Sequence, residues 1–141
     1  MFEYEVVKLS PSVEDYCMLR LKTGLSPKSV NAAEIARQNS WYGMHLKDKN
    51  KKTIGMGKII GDGGCHFQVV DIAVLSEYQG KGLGKVIMAD LIEYYTTNAP
   101  KTSYLNLIAD GEAKYLYEKF GFKSTAPQSI GMYYKDSKTI D

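Results

Sequence analysis

The sequence is poor in cysteine, histidine and proline. Its 141 residues include two cysteines, Cys17 and Cys65, and two histidines, His45 and His66. Two cysteines provide no disulfide framework, and these four side chains lack the spacing of a zinc site. We therefore expect free thiols in a reducing compartment, the cytoplasm, and no bound metal.

Long apolar runs and an excess of charge are also lacking. No segment approaches the ~18 apolar residues of a membrane span, and the N-terminal MFEYEVVKLS has neither the basic nor the apolar region of a secretory signal. The 18 basic and 16 acidic residues leave a net charge of +2. A short basic cluster, residues 47–52, is interrupted by Asp48 and Asn50, which is typical of a solvated hairpin turn. We expect neither a membrane nor a nucleic acid as partner.

The order of the predicted elements indicates the fold class. A chain of this length buries roughly two-thirds of its unfolded surface, so residues 1–141 are expected to form a single domain. Apolar periodicity predicts strand, two helices, three strands, then helix, strand, helix and strand, which is a mixed α/β sheet with helices on its faces. The predicted strands are residues 2–9, 41–46, 53–60, 66–75, 104–109 and 131–134, and the predicted helices are residues 11–22, 32–38, 83–98 and 111–120. Ser10 is expected to cap the first helix because Pro11 would then occupy its first turn.

A glycine-rich turn, QGKGLG at residues 79–84, lies between an apolar strand and a long helical pattern. Such a turn leaves backbone N–H groups free to bind an anion, and phosphate is the usual ligand. The dinucleotide fingerprint GxGxxG would need glycine in place of Lys85. The nucleotide P-loop would need glycine in place of Gln79 and a hydroxyl in place of Val86. Neither nucleotide motif is present.

The QxxGxG turn, preceded by VVDIAV and followed by an amphipathic helix, resembles that of the GNAT acyltransferase superfamily. A second segment, ADGEAKYLYEKFGF at residues 109–122, resembles the NxxAxxLYxKxGF pattern of that family. Asp110 departs from it, because asparagine is usual there and a carboxylate cannot donate a hydrogen bond. The resemblance covers residues 55–122 by motif. The matching positions of the second pattern are Ala113, Leu116, Tyr117, Lys119, Gly121 and Phe122.

The resemblance implies a GNAT-type α/β fold: a mostly antiparallel central sheet with one splayed parallel strand pair and helices on both faces. It also implies a site for acetyl-coenzyme A as cosubstrate. Backbone N–H groups of the turn would bind the pyrophosphate, backbone groups on the preceding strand would pair with the pantetheine amides, and the second motif would contact the pantetheine arm. The implied residues are Gln79, Gly80, Lys81, Gly82, Leu83, Gly84 and Lys85 for the pyrophosphate, Ile72, Ala73 and Val74 for the amides, and Asp110 and Ala113 for the arm.

The implied activity is transfer of an acetyl group from acetyl-coenzyme A to a primary amine of a small molecule. Tyr117 matches the tyrosine that many members use as general acid toward the coenzyme sulfur, although its place on an apolar helical stripe also fits packing. Asp71 is the best candidate for the base, with His66, Glu77 or a water as alternatives, or it only hydrogen-bonds to nearby backbone. The family would place acceptor contacts at Tyr16, Arg20, residues 24–29 and Trp41.

Two other functions stay open on the sequence. One is a non-catalytic acyl-coenzyme A binding or sensing module, and the other is an acetyltransferase for protein or peptide amines. A homodimer is an open alternative to a monomer. Neither the amine acceptor nor the acyl-chain preference is specified by any motif.

Overall fold

A computed structural model describes residues 2–135 of the chain. Its sheet has five strands in the order β1-β2-β3-β4-β5. The first three pairs are antiparallel and the last, β4 with β5, is parallel. The strands are β1 Tyr4–Val7, β2 Tyr42–Asp48, β3 Thr53–Gly61, β4 His66–Val74 and β5 Tyr104–Asn106, and the helices are α1 Val13–Lys22, α2 Val30–Asn39, α3 Leu83–Asn98 and α4 Lys114–Glu118.

Helices cover both faces of the sheet, as two neighbouring residues of β3 show. A Cβ atom on Gly57 would meet Ile87 and Leu91 of α3 at 2.6 and 3.1 Å. The next residue, Lys58, instead lies against Tyr16 of α1. Because successive residues of a strand point to opposite faces, α1 and α3 lie on opposite sides of the sheet. The predicted fold class is confirmed.

The core lies mainly between α3 and the sheet. Ile87, Met88 and Leu91 of α3 are fully buried, as are Met44, Leu46, Ile54 and Ile59 of the strands. Gly57 allows α3 to approach β3 closely, because any side chain there would clash with the two α3 residues named above. Among the described residues, no helix has both the length and the apolar character needed to cross a lipid bilayer.

The first helix begins two residues later than predicted. The Ser12 hydroxyl, not that of Ser10, accepts the capping hydrogen bond, which the Asp15 N–H donates at 3.1 Å. Pro11 therefore precedes the cap instead of occupying the first turn. The prediction of Ser10 as the cap was wrong because two serines flank the proline and either can cap a helix.

The C-terminal third differs most from the prediction. β5 ends at Asn106 rather than at residue 109, and the last helix is a 3-10 turn, Gly111–Ala113, followed by the single short helix α4. Residues 131–134, predicted as a strand, pair with no strand in the described part of the chain, and Met132, Tyr133 and Tyr134 are 79–85% exposed. A strand needs a partner, and the short β5 provides none for this segment.

Candidate active site

The parallel pair β4 and β5 separates after three residue pairs. The pairing ends at Gln68 and Asn106, where the Gln68 side-chain amide donates a hydrogen bond to Asn106 Oδ1 at 3.0 Å. Just beyond, β4 bulges: Asp71 and Ile72 together oppose the single residue Gly57 of β3, and Asp71 has a φ of 59°. The bulge and the early end of β5 leave one edge of β4 without a strand partner.

Backbone groups of β4 beyond the bulge are directed alternately to β3 and to this open edge. The Leu75 N–H donates to Ile54 O of β3 at 2.9 Å. Because peptide groups of successive strand residues point to opposite sides, those of Ala73 face β3 as well, while those of Ile72 and Val74 face the opening. The Val74 carbonyl accepts a hydrogen bond from the Gln79 side chain at 3.0 Å. Gln79 thus ties the glycine turn to the end of β4.

The glycine turn forms an open cradle at the N-terminus of α3. Gly80 and Gly82 have φ of 81° and 78°, a region that favours glycine, and a Cβ on either would meet no atom within 4 Å. Gly82 caps α3 without a side-chain hydrogen bond from any described residue. The first N–H groups of a helix lack intrahelical acceptors, so those of residues 83–85 are available to an anion.

Two lysines flank this cradle and both are exposed. Lys81 lies over the ring of Phe2, with its Nζ 5.2 Å from the ring centroid. Lys85 lies in the first turn of α3, whereas Leu83 is 2% exposed and contributes its side chain to the core. The turn therefore presents backbone donors and positive charge without a bulky side chain, which fits a pyrophosphate.

The second sequence motif packs beside the first. A Cβ on Gly84 would lie 3.2 Å from Leu116 Cδ2 of α4, so the absence of a side chain at Gly84 lets α4 approach α3. This contact places Tyr117, on α4, near the start of α3. Ala113 is half-buried, and Asp110 is exposed at the start of the 3-10 turn.

Tyr117 is half-buried, and its hydroxyl makes no hydrogen bond to any residue between 2 and 135. Burial and, to a smaller extent, the negative charge of Asp110 raise the pKa of Tyr117. At neutral pH the phenol is therefore protonated. It can donate a proton to a partner that gains negative charge, but it cannot serve as a base.

On the opposite face of the sheet, the side chain of Asp71 is the centre of a polar cluster. It accepts hydrogen bonds from the Tyr16 hydroxyl and from Arg20 Nη1, both at 2.6 Å, and lies 3.3 Å from Lys58 Nζ. Arg20 is itself held by Ser26, whose carbonyl oxygen and hydroxyl accept from Nε and Nη2 at 2.7 and 3.0 Å. Burial, together with the hydrogen bond to Asp71, raises the pKa of Tyr16.

A cleft opens onto this cluster, between the segment before α1, helix α2 and strand β3. Its walls combine apolar surface with a few charged groups. The cleft lies on the α1 face, and the glycine cradle lies at the N-terminus of α3. The lining residues are Ser10, Pro11, Val13, Tyr16, Ala33, Arg37, Ser40, Met56, Gly57, Lys58 and Asp71.

The chain is similar to known proteins in sequence and in fold. The sequence profile of the acetyltransferase (GNAT) domain matches residues 15–132. The chain belongs to the GNAT family of N-acetyltransferases. The family predicted from the two motifs is thereby confirmed, and so is the assignment of the protein as an enzyme.

Relatives of this GNAT protein include both solved structures and sequences. A crystal structure of a probable acetyltransferase of unknown function from meticillin-resistant Staphylococcus aureus is 46% identical, with a TM-score of 0.88 over 95% of this chain and 100% of that one. An uncharacterized N-acetyltransferase of Pyropia yezoensis is 28% identical over 93% of this chain and 70% of its own. The ribosomal protein bS18 alanine N-acetyltransferase of Haemophilus influenzae is 35% identical over 52% of this chain and 53% of its own.

Of the other residues that the sequence analysis named as site candidates, some lie at the Asp71 cluster and others lie away from it. His66 and Glu77 are exposed and lie beside Asp62 and Lys52, at 3.7 and 3.9 Å, and neither lines the cleft. Trp41 packs against aromatic rings, the nearest being Phe67 at 4.4 Å between centroids, and belongs to the core rather than to the cleft. Tyr16 and Arg20, by contrast, contact Asp71 directly.

Lys58 was missed by the sequence analysis. It is the single charged residue of the β3 segment TIGMGKIIG and its side chain is 12% exposed. A charge that interrupts an apolar strand was the available signal, because such a residue is rarely buried without a partner. The identity of that partner, Asp71, depends on the bulge in the neighbouring strand.

Proposed function

We propose that this GNAT enzyme transfers an acetyl group from acetyl-coenzyme A to a primary amine of a small molecule. The observation that carries the proposal is the bulge at Asp71 and Ile72. There the open edge of β4, which continues to the glycine cradle, meets a cleft with apolar and charged walls on the α1 face. The donor would bind along the open edge, and the acceptor would occupy the cleft.

Acetyl-coenzyme A fits the residues that face the opening. The backbone of Gly80 to Lys85 would hold the pyrophosphate, and the Ile72 and Val74 backbones would pair with the pantetheine amides. The Ala73 backbone faces β3, so its contribution would be to keep the bulged strand in place. Asp110 and Ala113 would border the pantetheine arm at the start of the second motif. When bound, the thioester supplies an acyl carbon that an amine can attack, with a thiolate as leaving group.

Tyr117 is proposed as the general acid. Its raised pKa keeps the phenol protonated, and its hydroxyl has no competing partner among residues 2–135. A proton donor is useful only as negative charge develops on the sulfur, so the benefit falls in the transition state.

The attacking amine must lose a proton, and Asp71 is proposed to assist this step. Oδ1 of Asp71 accepts from Arg20, and Oδ2 accepts from Tyr16 beside Lys58. To accept a proton from the amine directly, Asp71 would have to exchange one of these partners. We therefore propose that Asp71 acts on the amine through a water, while its charge fixes the positions of Tyr16 and Lys58.

A peptide amine is the second candidate acceptor. It is favoured by the relative from Haemophilus influenzae, whose name assigns it the alanine of ribosomal protein bS18. A module that binds acyl-coenzyme A without catalysis is disfavoured by Tyr117, whose hydroxyl has no competing hydrogen-bond partner among residues 2–135. We also propose that residues 1–141 form one domain. The free Cys17 and Cys65 favour a reducing compartment such as the cytoplasm, although one relative is named as chloroplastic. The exposed residues 130–134 favour a homodimer, which the molecular mass in solution tests.

The test is release of the coenzyme thiol from acetyl-coenzyme A in the presence of small-molecule amines, with an alanine-initiated peptide as a separate arm. Calorimetry of coenzyme binding runs in parallel. Thiol release that depends on a small amine supports the proposal, and release with the peptide alone supports the second candidate. Tight coenzyme binding without release from any amine would indicate a binding module, and no binding would refute the donor site.

A further inference from the structure

We propose that the acceptor carries an anionic group, a carboxylate or a phosphate, which Lys58 and Arg37 bind inside the cleft. The inference rests on the proposed function, because it names the class of amine that the cleft selects. The charges that line the cleft, and the hydrogen-bonding capacity that each retains, support it.

Positive charge exceeds negative charge at the cleft. Among its lining residues Lys58 and Arg37 are cationic and Asp71 is the one acid. Asp71 is already paired with Arg20, which is 6% exposed and lies behind it. The carboxylate is therefore neutralised by the guanidinium, and the charges of Lys58 and Arg37 remain without an equivalent counter-charge.

Lys58 is held in position but retains hydrogen-bond donors. Its ammonium lies 5.0 Å from the centroid of the Tyr16 ring and 3.3 Å from Asp71 Oδ2, an oxygen that also accepts from Tyr16. An ammonium has three N–H donors, and one ion pair leaves two of them for a ligand. With 12% of its side chain exposed, Lys58 is fixed on the cleft wall rather than moving freely in solvent.

Arg37 reaches the same cleft from α2. Its Nε donates to Pro11 O at 2.8 Å and its Nη2 to Ser10 O at 3.1 Å. These two bonds fix the plane of the guanidinium and leave Nη1, for which residues 2–135 provide no hydrogen-bond acceptor. A fixed guanidinium edge is suited to a carboxylate or phosphate oxygen.

A net positive cleft selects against one class of amine. A polyamine would bring further positive charge beside Lys58 and Arg37, with like-charge repulsion strengthened by the partly buried setting. An amine that also carries an anion would supply the missing counter-charge. The remaining walls include the apolar side chains of Val13, Ala33 and Met56, which would contact the carbon skeleton of the acceptor.

Matched acceptor pairs test the proposal. The pairs are β-alanine with β-alaninamide for the carboxylate and O-phosphoethanolamine with ethanolamine for the phosphate, with spermidine as the cationic amine. We expect kcat/KM for at least one anionic member to exceed that of its uncharged partner about 10-fold or more, the effect of a hydrogen bond to a charged group. The arm with the larger ratio identifies the anion.

Variants then assign the preference to the cleft. Lys58→Met keeps an unbranched side chain beside Tyr16 but removes the charge, and it should raise KM for the anionic acceptor about 10- to 100-fold more than it raises KM for the uncharged partner. Lys58→Arg should restore most of the preference. Lys101→Met removes an exposed lysine that lies outside the cleft and should change neither value.

Two results would overturn the inference without affecting the proposed function. One is equal or faster acetylation of the uncharged or cationic amines, and the other is an undiminished anion preference in Lys58→Met. If no amine releases the coenzyme thiol, the anion site is tested by calorimetry, which measures the affinity of the coenzyme-bound protein for both members of each acceptor pair. Equal affinity for both members of each pair then refutes the anion site, and tighter anion binding that Lys58→Met abolishes supports it.

Discussion

Arg20 and Asp71 form an ion pair across 51 positions of the chain, with Arg20 Nη1 donating to Asp71 Oδ1 at 2.6 Å. The two side chains are 7% and 14% exposed. The pair fastens helix α1 to the bulge of β4, at the point where the cleft meets the open strand edge. The same two residues therefore stabilise the fold and form part of the candidate site.

Asp71→Asn should destabilise the protein and lower its activity together. Removing the carboxylate charge leaves Arg20 and Lys58 as neighbouring cations with little solvent access, which costs about 3 kcal/mol of unfolding free energy. We expect kcat/KM to fall at least 100-fold, since the cluster would no longer hold Tyr16 and Lys58 in position. Chemical denaturation and steady-state kinetics measure the two effects.

Glu77→Gln is the control for loss of a carboxylate. Glu77 is exposed and lies 3.9 Å from Lys52, so its removal should change the unfolding free energy by less than about 0.5 kcal/mol. An Asp71→Asn protein that keeps parental activity within threefold would remove Asp71 from the proposed mechanism, whatever its stability.

Gly82→Val should weaken coenzyme binding beyond its cost in stability. Gly82 has a φ of 78° and open space where a Cβ would lie, so valine adds backbone strain of about 1–2 kcal/mol and fills the cradle. Gly63→Val is a matched control, because Gly63 has a φ of 83°, equally open surroundings and a place in the hairpin turn between β3 and β4. Only the first variant should lose affinity for coenzyme A by calorimetry. Equal affinity in the two variants would place the pyrophosphate elsewhere.

The sequence predicted an element correctly where nearby residues mark the boundaries of that element. Helix α3 was predicted at residues 83–98 and occupies Leu83–Asn98, since the glycine turn before it and Pro100 after it are both local boundaries. The glycine cradle was predicted for the same reason. The contact of Gly84 with Leu116, which joins the two motifs, was not predicted, because it depends on packing between distant segments.

Features that depend on pairing between distant segments were predicted poorly. The strand expected at residues 131–134 has an apolar, aromatic sequence but no partner in the described chain. Lys58 became a site residue because a bulge in β4 turned Asp71 toward it. Neither a missing partner strand nor a bulge leaves a periodic signal in one sequence, so these outcomes required the structure.

His45 should make stability depend on pH near neutrality. It is 6% exposed, its Nδ1–H donates to Leu9 O at 2.6 Å, and burial lowers its pKa below the usual 6.5. Because the folded-state pKa is lowered, the stabilisation that neutral His45 provides is complete above about pH 6.5. It is lost as the pH falls through the folded-state pKa. The unfolding free energy should therefore decrease as pH falls from about 7.5 to 5.5, with a slope of at most ~1.4 kcal/mol per pH unit.

The two histidines provide the comparison for this effect. His66 is exposed at the start of β4, so His66→Gln should retain the pH slope of the parent. His45→Gln should flatten it. A slope that persists in His45→Gln would assign the pH dependence to other groups and contradict the proposed effect of burial.

Tyr117→Phe separates catalysis from packing at one residue. The ring and its contact with Phe122, 6.4 Å between centroids, are retained, and the hydroxyl has no hydrogen-bond partner among residues 2–135. The unfolding free energy should therefore change by less than about 0.5 kcal/mol. If the phenol protonates the departing thiolate, kcat should fall roughly 10²- to 10⁴-fold while coenzyme affinity stays nearly constant.

Tyr115→Phe is the matched control on the same helix, since Tyr115 is 57% exposed. It should retain parental kcat, coenzyme affinity and stability. The measurements are kcat on the best acceptor, coenzyme affinity by calorimetry and the melting temperature of each variant. Turnover of Tyr117→Phe within about threefold of the parent, a barrier change below ~1 kcal/mol, would show that the phenol is dispensable. The thiolate would then take its proton from water or from the ammonium of the acceptor, and Tyr117 would contribute only its ring.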